Sequence, residues 1–161
     1  MSVKDRKQTL RLLSNGIYVI TSASDGRYGA ATVTWMSQAS FKPPLVMAAI
    51  RPESTVFKCL CESRVAAVHI LEANQQAMAQ RFISPTRVAD DTINGEPFVP
   101  GATRAPILQN ASANFECLVR QIVRLGDHAI VIMEVIEAVC RREIRPLTVA
   151  AARGAMAAER R

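Results

Sequence analysis

The chain has 161 residues, 49% of them apolar and 21% charged; at roughly 100–200 residues per domain this sets a single domain, 1–161, with its own core and excludes wholesale disorder. Aromatic residues make up only 5%, too few for a surface that stacks many bases, and no apolar run nears the roughly 20 residues of a membrane helix, so neither a nucleic acid nor a membrane is expected as a partner. The net charge of +6 collects at the two ends: residues 1–11 hold four basic side chains and one acid, residues 141–161 six and two, and the middle ten against eleven.

Such an excess reads as solvated tails, not as a folded basic face. The N-terminal stretch is mixed and amphipathic and lacks the apolar segment of a secretion signal, which points to the cytoplasm. Lys4 to Asn15 has Leu10 and Leu13 on one face and predicts a helix closed by Asn15-Gly16. Gly16 to Ser22 is β-branched and predicts a strand, Ser24-Asp25-Gly26-Arg27 a turn, and Ala30 to Ser37 the second strand of a hairpin. Phe41-Lys42-Pro43-Pro44 interrupts any central ladder. Leu45 to Ile50 then reads as a short buried strand, and Ser54 or Thr55 as the cap of a helix reaching about Ser63. Val65 to Leu71 is another strand, and Asn74 is placed to cap a helix running to about Phe82.

Residues 83–114 hold Pro85, Pro97, Pro100, Pro106, Gly95 and Gly101, and so long a connection predicts a functional loop or lid. Phe115 to Leu125 and Ala129 to Val139 form a strong hairpin pattern around Gly126-Asp127-His128, and the Ala-rich stretch from Val149 to Arg161 suggests a fraying helical tail. About six strands joined mostly by short turns give a mainly β, antiparallel protein: a small β-barrel with peripheral helices. A parallel doubly wound sheet fits poorly, because turns rather than helices separate the first and last strand pairs.

No glycine-rich phosphate loop, nucleophile elbow or HExxH motif is present. Cys59, Cys61, Cys117 and Cys140 lack the paired spacing of a structural zinc site and read as small buried hydrophobes, so no metal is expected. Three stretches carry chemistry. Thr32, Val33, Thr34, Trp35, Ser37, Gln38, Ala39 and Ser40 form either an ordinary strand with a polar face or a strand edge that hydrogen-bonds a flat polar heterocycle and its polyol chain. Arg51, Ser54 and Thr55 open a helix, as a plain cap or as a phosphate site at its dipole end. His128 sits in a tight turn, merely exposed or facing a ligand.

In this order the segments NGIYVITS, DG, GAATVTWMSQASFKPPLVMAAI, RPEST and GDH resemble the flavin reductase-like family on the FMN-binding split-barrel fold. The resemblance is nearest to the branch attached to flavodiiron proteins and rubredoxins, and it runs from about Leu10 to Gly154. It implies a homodimer, non-covalent FMN with FAD possible, and NADH or NADPH as hydride donor. Thr32 to Trp35 would then line the ring, Ser37 to Ser40 the ribityl chain, and Arg51, Ser54 and Thr55 the phosphate. His128 would stand on the nicotinamide side as the catalytic residue. Reduced flavin would pass to a partner monooxygenase or redox protein. Two departures stand out: Pro146-Leu147 is followed by Thr148-Val149-Ala150 with no aromatic, and His69 stands where many members have Asn, buried or near the flavin. The alternatives are a flavin-binding electron carrier without nicotinamide activity, a ferric reductase using Cys59 or Cys61, and an interaction module with an empty barrel.

Overall fold

A computed structural model describes residues 2–152. Two antiparallel sheets and three helices make up the elements of that span. Helix α1 (Val3–Leu10) is capped by Ser2 and buries none of its residues. It ends at Leu10, short of the expected Asn15, because no packed partner holds the next turn. Strands β1 (Tyr18–Ser24) and β2 (Arg27–Val33) pair around Asp25 and Gly26, both at positive φ, the twist that a two-residue hairpin needs.

The expected second strand does not run on to Ser37. The ladder stops at Val33, Thr34 and Trp35 leave it, and β3 (Met36–Ser40) begins anew. The cause is tertiary. β3 pairs with β4 (Leu45–Ile50), and the diproline turn lies between those two. The large sheet has the order β2-β1-β5-β10-β11-β4-β3, with β5 (Val65–Ile70), β10 (Ala113–Arg124) and β11 (Ala129–Cys140) in its middle. Thus β2 and β3 are consecutive in the chain but sit at opposite edges of a curled sheet. The chain crosses the seam of the barrel at Thr34-Trp35.

Helix α2 (Thr55–Ser63) buries Val56, Phe57, Cys59 and Leu60. Fully burying the Phe57 and Leu60 side chains contributes roughly 2–3 kcal/mol each. Ser54 accepts a hydrogen bond from the Phe57 N–H (3.3 Å), and Arg64 at φ 60° ends the helix. The helix start lies against β2: a Cβ on Gly29 would stand 2.4 Å from the Val56 Cα, so only glycine allows the approach. These side chains join Ile20, Val33, Ile50, Val68, Val131 and Met133 in the barrel core.

Residues 83–114 are not an irregular lid. They hold the last residues before β10 and a small second sheet of β6 (Val88–Ala89), β7 (Thr92–Ile93), β8 (Glu96–Pro100) and β9 (Pro106–Leu108). Together with α3 (Gln76–Arg81) this sheet covers the outer face of β1 and β2 through Val19, Ala30, Leu71, Met78, Phe82, Ile93 and Leu108. Gln75, not Asn74, stands at the α3 N-cap and makes no side-chain cap bond. The segment after β11 returns as a strap: Leu147 is buried, its N–H donating to the Leu71 carbonyl at 2.8 Å and its carbonyl accepting from the Ile17 N–H at 2.9 Å. The expected tail helix is seen as one turn over residues 149–152; its continuation lies outside the described residues.

Candidate functional site

At the seam the chain leaves backbone groups without a strand partner, and a cavity of about 470 Å³ opens there. Four separated segments form its walls: Ala31 to Trp35, Ala49 to Ser54, Phe82-Ile83, and His128. A cavity of this size falls in the range of small-molecule and cofactor sites.

The segment from Thr32 to Trp35 forms one wall. The Thr32 N–H donates to the Phe82 carbonyl (3.0 Å) and its hydroxyl to the Ala79 carbonyl (2.6 Å). Both therefore fasten α3 to the seam and are already engaged. Thr34 and Trp35 lie outside the ladder and bring their main chain to the wall. The Trp35 carbonyl accepts from the Ala49 N–H at 2.9 Å, which fixes the main chain while the indole stays half exposed.

Opposite lies the start of α2. Its first amides have no intrahelical partner, and the Ser54 hydroxyl donates to the Arg51 carbonyl (2.7 Å) while capping Phe57. Arg51 adds a positive side chain, so this corner suits an anion. His128, from the β10–β11 turn, places its ring 4.8 Å from the Trp35 ring at 51°. Its Nδ1 lies 3.1 Å from the Asp127 Oδ1. That hydrogen bond, with the Arg51 charge adding, holds the Asp127 carboxyl below the usual carboxylate range.

The cavity brings together Thr32, Val33, Thr34, Trp35, Arg51, Ser54 and His128. It does not include Ser37, Gln38, Ala39 and Ser40, which lie on the edge strand β3. Ser37 and Gln38 line a separate groove with Leu45, Val46, Ile70 and Phe115. Thr55 is the first helical residue and stands outside the wall. The sequence reading missed Phe82 and Ile83: Phe82 read as helix core, and Ile83 as the first residue of a lid.

His69 is buried and remote from this cavity. Its Nδ1–H donates to the Val19 carbonyl (3.0 Å) and its Nε2 accepts from the Leu108 N–H (2.9 Å), so it ties the large sheet to β9 as a neutral ring. Burial pushes its pKa down to about 4. Cys59 is buried, its thiol raised by desolvation, and Cys61 is half exposed. Two residues apart on a helix, these thiols point to different faces. Among the described residues no three His, Cys, Asp or Glu gather to hold a metal, and no helix is long and apolar enough to cross a membrane. Of the described residues after Pro146-Leu147, Val149 and Ala152 pack against the outer core and none lines the cavity.

Comparison with known proteins adds the following. Residues 10–157 match the model of a family described as "Flavin reductase like domain". The chain is 29% identical over 132 residues to diflavin flavoprotein A 1 of Synechocystis sp., covering 81% of this chain and 23% of that protein. It thus spans about a quarter of the length of that relative. Among solved structures, the NADH:FAD oxidoreductase SgcE6 of Streptomyces globisporus C-1027 superposes with a TM-score of 0.79 at 27% identity, covering 92% of this chain and 90% of that one. The styrene monooxygenase flavin reductase of Pseudomonas putida S12 gives 0.75 at 27%, covering 91% and 92%.

Proposed function

The chain belongs to the flavin reductase-like domain family, and on that footing we propose that it transfers hydride from NADH or NADPH to FMN, or FAD, bound in the seam cavity. The observation that carries this reading is the meeting of an anion corner with a polar seam wall and a histidine in one cavity of cofactor size. The residues present fit a flavin. Arg51, Ser54 and the first amides of α2 would hold its phosphate, and the main chain of Thr34 and Trp35 would line its ring. When bound, the flavin supplies the redox chemistry by accepting the hydride.

The protein's part is binding and orientation. His128 stands on the open side and aligns the nicotinamide, and its Asp127 partner fixes which ring nitrogen carries the proton. Phe82 and Ile83 close the far wall and exclude water from one side of the ring. Stacking two rings at about 3–3.5 Å between reacting atoms is the main catalytic demand, and rigid walls meet it. Ser37 to Ser40, on β3 outside the cavity, would keep the ribityl role only if that chain left the cavity along β3, and Thr55 would contribute its backbone.

The same proposal makes this domain part of a cytoplasmic homodimer that hands reduced flavin to a monooxygenase or redox protein, in keeping with its likeness to the flavin reductase of a styrene monooxygenase. Support for self-association comes from β11. Its ladder with β4 ends at Glu134, and the Val135 N–H still donates to the Pro44 carbonyl at 2.9 Å; beyond that its last residues pair only with β10, and Ile136 and Val139 are exposed. An open apolar edge of this kind asks for a cover.

The test is flavin-dependent oxidation of NADH and NADPH by the purified protein, alongside its absorbance spectrum and its mass by light scattering. Turnover with one nicotinamide supports the reading. Tight flavin that only a protein partner reduces selects the electron carrier. Protein that neither carries nor takes up flavin at micromolar concentration refutes both.

A further inference from the structure

Trp35 is the one tryptophan of the chain, and its environment is unusual for so large an apolar group. Trp35 is 54% exposed, whereas a fold ordinarily buries most of an indole. Its ring contact is with His128, the group placed on the nicotinamide side. Behind it lies a second cavity of about 450 Å³, walled mainly by Leu10, Leu13, Met36, Met47, Ala48 and Ile130. Trp35 and Ala49 belong to the walls of both cavities. The indole therefore stands as a partition between a polar compartment and an apolar one.

We infer that the Trp35 indole is a movable cover of the reduced-nicotinamide position, lying against His128 until the dinucleotide arrives and then turning into the apolar cavity behind it. The inference rests on the reading of the first cavity as a flavin and nicotinamide site. The main chain need not move, since the Trp35 carbonyl stays bonded to the Ala49 N–H and the side-chain torsions carry the change. The second position offers what the first lacks, an apolar bed whose two methionines adapt to a ring. The contact given up is a single tilted aromatic pair, which is weak enough to exchange. Trp35 thus sets the order of binding: flavin enters first, and the nicotinamide must displace the indole.

This cover lowers the apparent affinity for the nicotinamide by the fraction of molecules that are open. For one aromatic pair the factor is about five-fold. Two measurements test it. In the wild-type protein loaded with FMN, acrylamide quenching of the sole tryptophan is compared before and after addition of the oxidised dinucleotide, which does not react. The expected result is reduced quenching and a shift of emission to the blue. In Trp35→Leu at saturating FMN, the KM for reduced nicotinamide is expected to fall about five-fold.

Unchanged quenching in a wild-type protein that turns over overturns the cover and leaves the flavin reductase reading standing. A raised KM in Trp35→Leu also overturns it, since the indole is then a platform that the nicotinamide uses. No turnover with either nicotinamide removes both readings. Where the variant fails to fold, the quenching comparison on the wild type decides alone.

Discussion

Acidification should loosen the join between the two layers through one side chain, His69. In the fold its ring is neutral, with Nδ1–H on the Val19 carbonyl and Nε2 accepting from Leu108. Protonation would set a second N–H against that of Leu108. Burial lowers the pKa from 6.5 to about 4. Unfolded chains therefore bind the proton first, and stability, complete above about pH 6.5, is lost as pH falls toward 4. Between about pH 7.5 and pH 4.5 the linkage gives a loss on the order of 2–3 kcal/mol, a large share of a typical 5–15 kcal/mol.

The assay is urea unfolding followed by circular dichroism across that range at fixed protein concentration. His69→Gln keeps a donor and an acceptor but does not titrate. Its stability at pH 7.5 is lower, yet from there to pH 4.5 it should fall by clearly less than the wild type does, since only the carboxyls titrate. Glu116, whose carboxyl burial would raise but hydrogen bonds from Thr103 and Ala102 hold below the usual range, also costs stability at the acid end of this window, as do Glu62 and Asp127. That loss is shared by wild type and variant and cancels in their difference. A Gln variant that loses the same stability as wild type over this interval would refute the assignment.

Three further outcomes are expected. Arg51→Ala should weaken FMN binding by about ten- to a hundred-fold, the worth of a charge-assisted hydrogen bond. Ser54→Ala should weaken it too while also costing about 1 kcal/mol of helix capping, and Thr55→Ala, outside the wall, should do least; flavin fluorescence titration ranks the three. Gly29→Ala places a Cβ against the Val56 backbone and should destabilise by about 2–3 kcal/mol through overpacking, read as a lowered urea midpoint. Glu116→Gln turns an amide NH2 toward the Ala102 and Thr103 donors, which now bond the carboxylate at 2.6–2.9 Å. It should cost about 2–3 kcal/mol and speed hydrogen exchange across residues 101–105.

The parts of this fold that could be read from sequence are those fixed by local pattern. Leu45 to Ile50 and the hairpin around Gly126 match the strands found because apolar residues and turn signals agree there. Ser54 declared its helix because a cap is a local hydrogen bond. The break at Thr34-Trp35 was hidden: Ala30 to Ser37 has an unbroken β pattern, and only pairing of Met36–Ser40 with β4 divides it. The small sheet escaped notice because its strands are two to five residues long and two of them, β8 and β9, end or begin on proline. Of the site, the polar wall, the anion corner and His128 were legible as types. That Ser37 to Ser40 lie outside the cavity, and that Phe82 and Ile83 complete it, depends on how distant segments fold together.

No fragment of this chain can build the cavity, because its walls run from Ala31 to His128. A partly unfolded molecule has no place to seat a ligand. Occupancy and global folding are thus coupled by mass action, and ligand at a hundred times its dissociation constant adds about 2.7 kcal/mol. Dye-free melting curves would then sort candidate flavins and dinucleotides by affinity without any turnover. In a cell short of flavin, the protein's lifetime would shorten together with its activity.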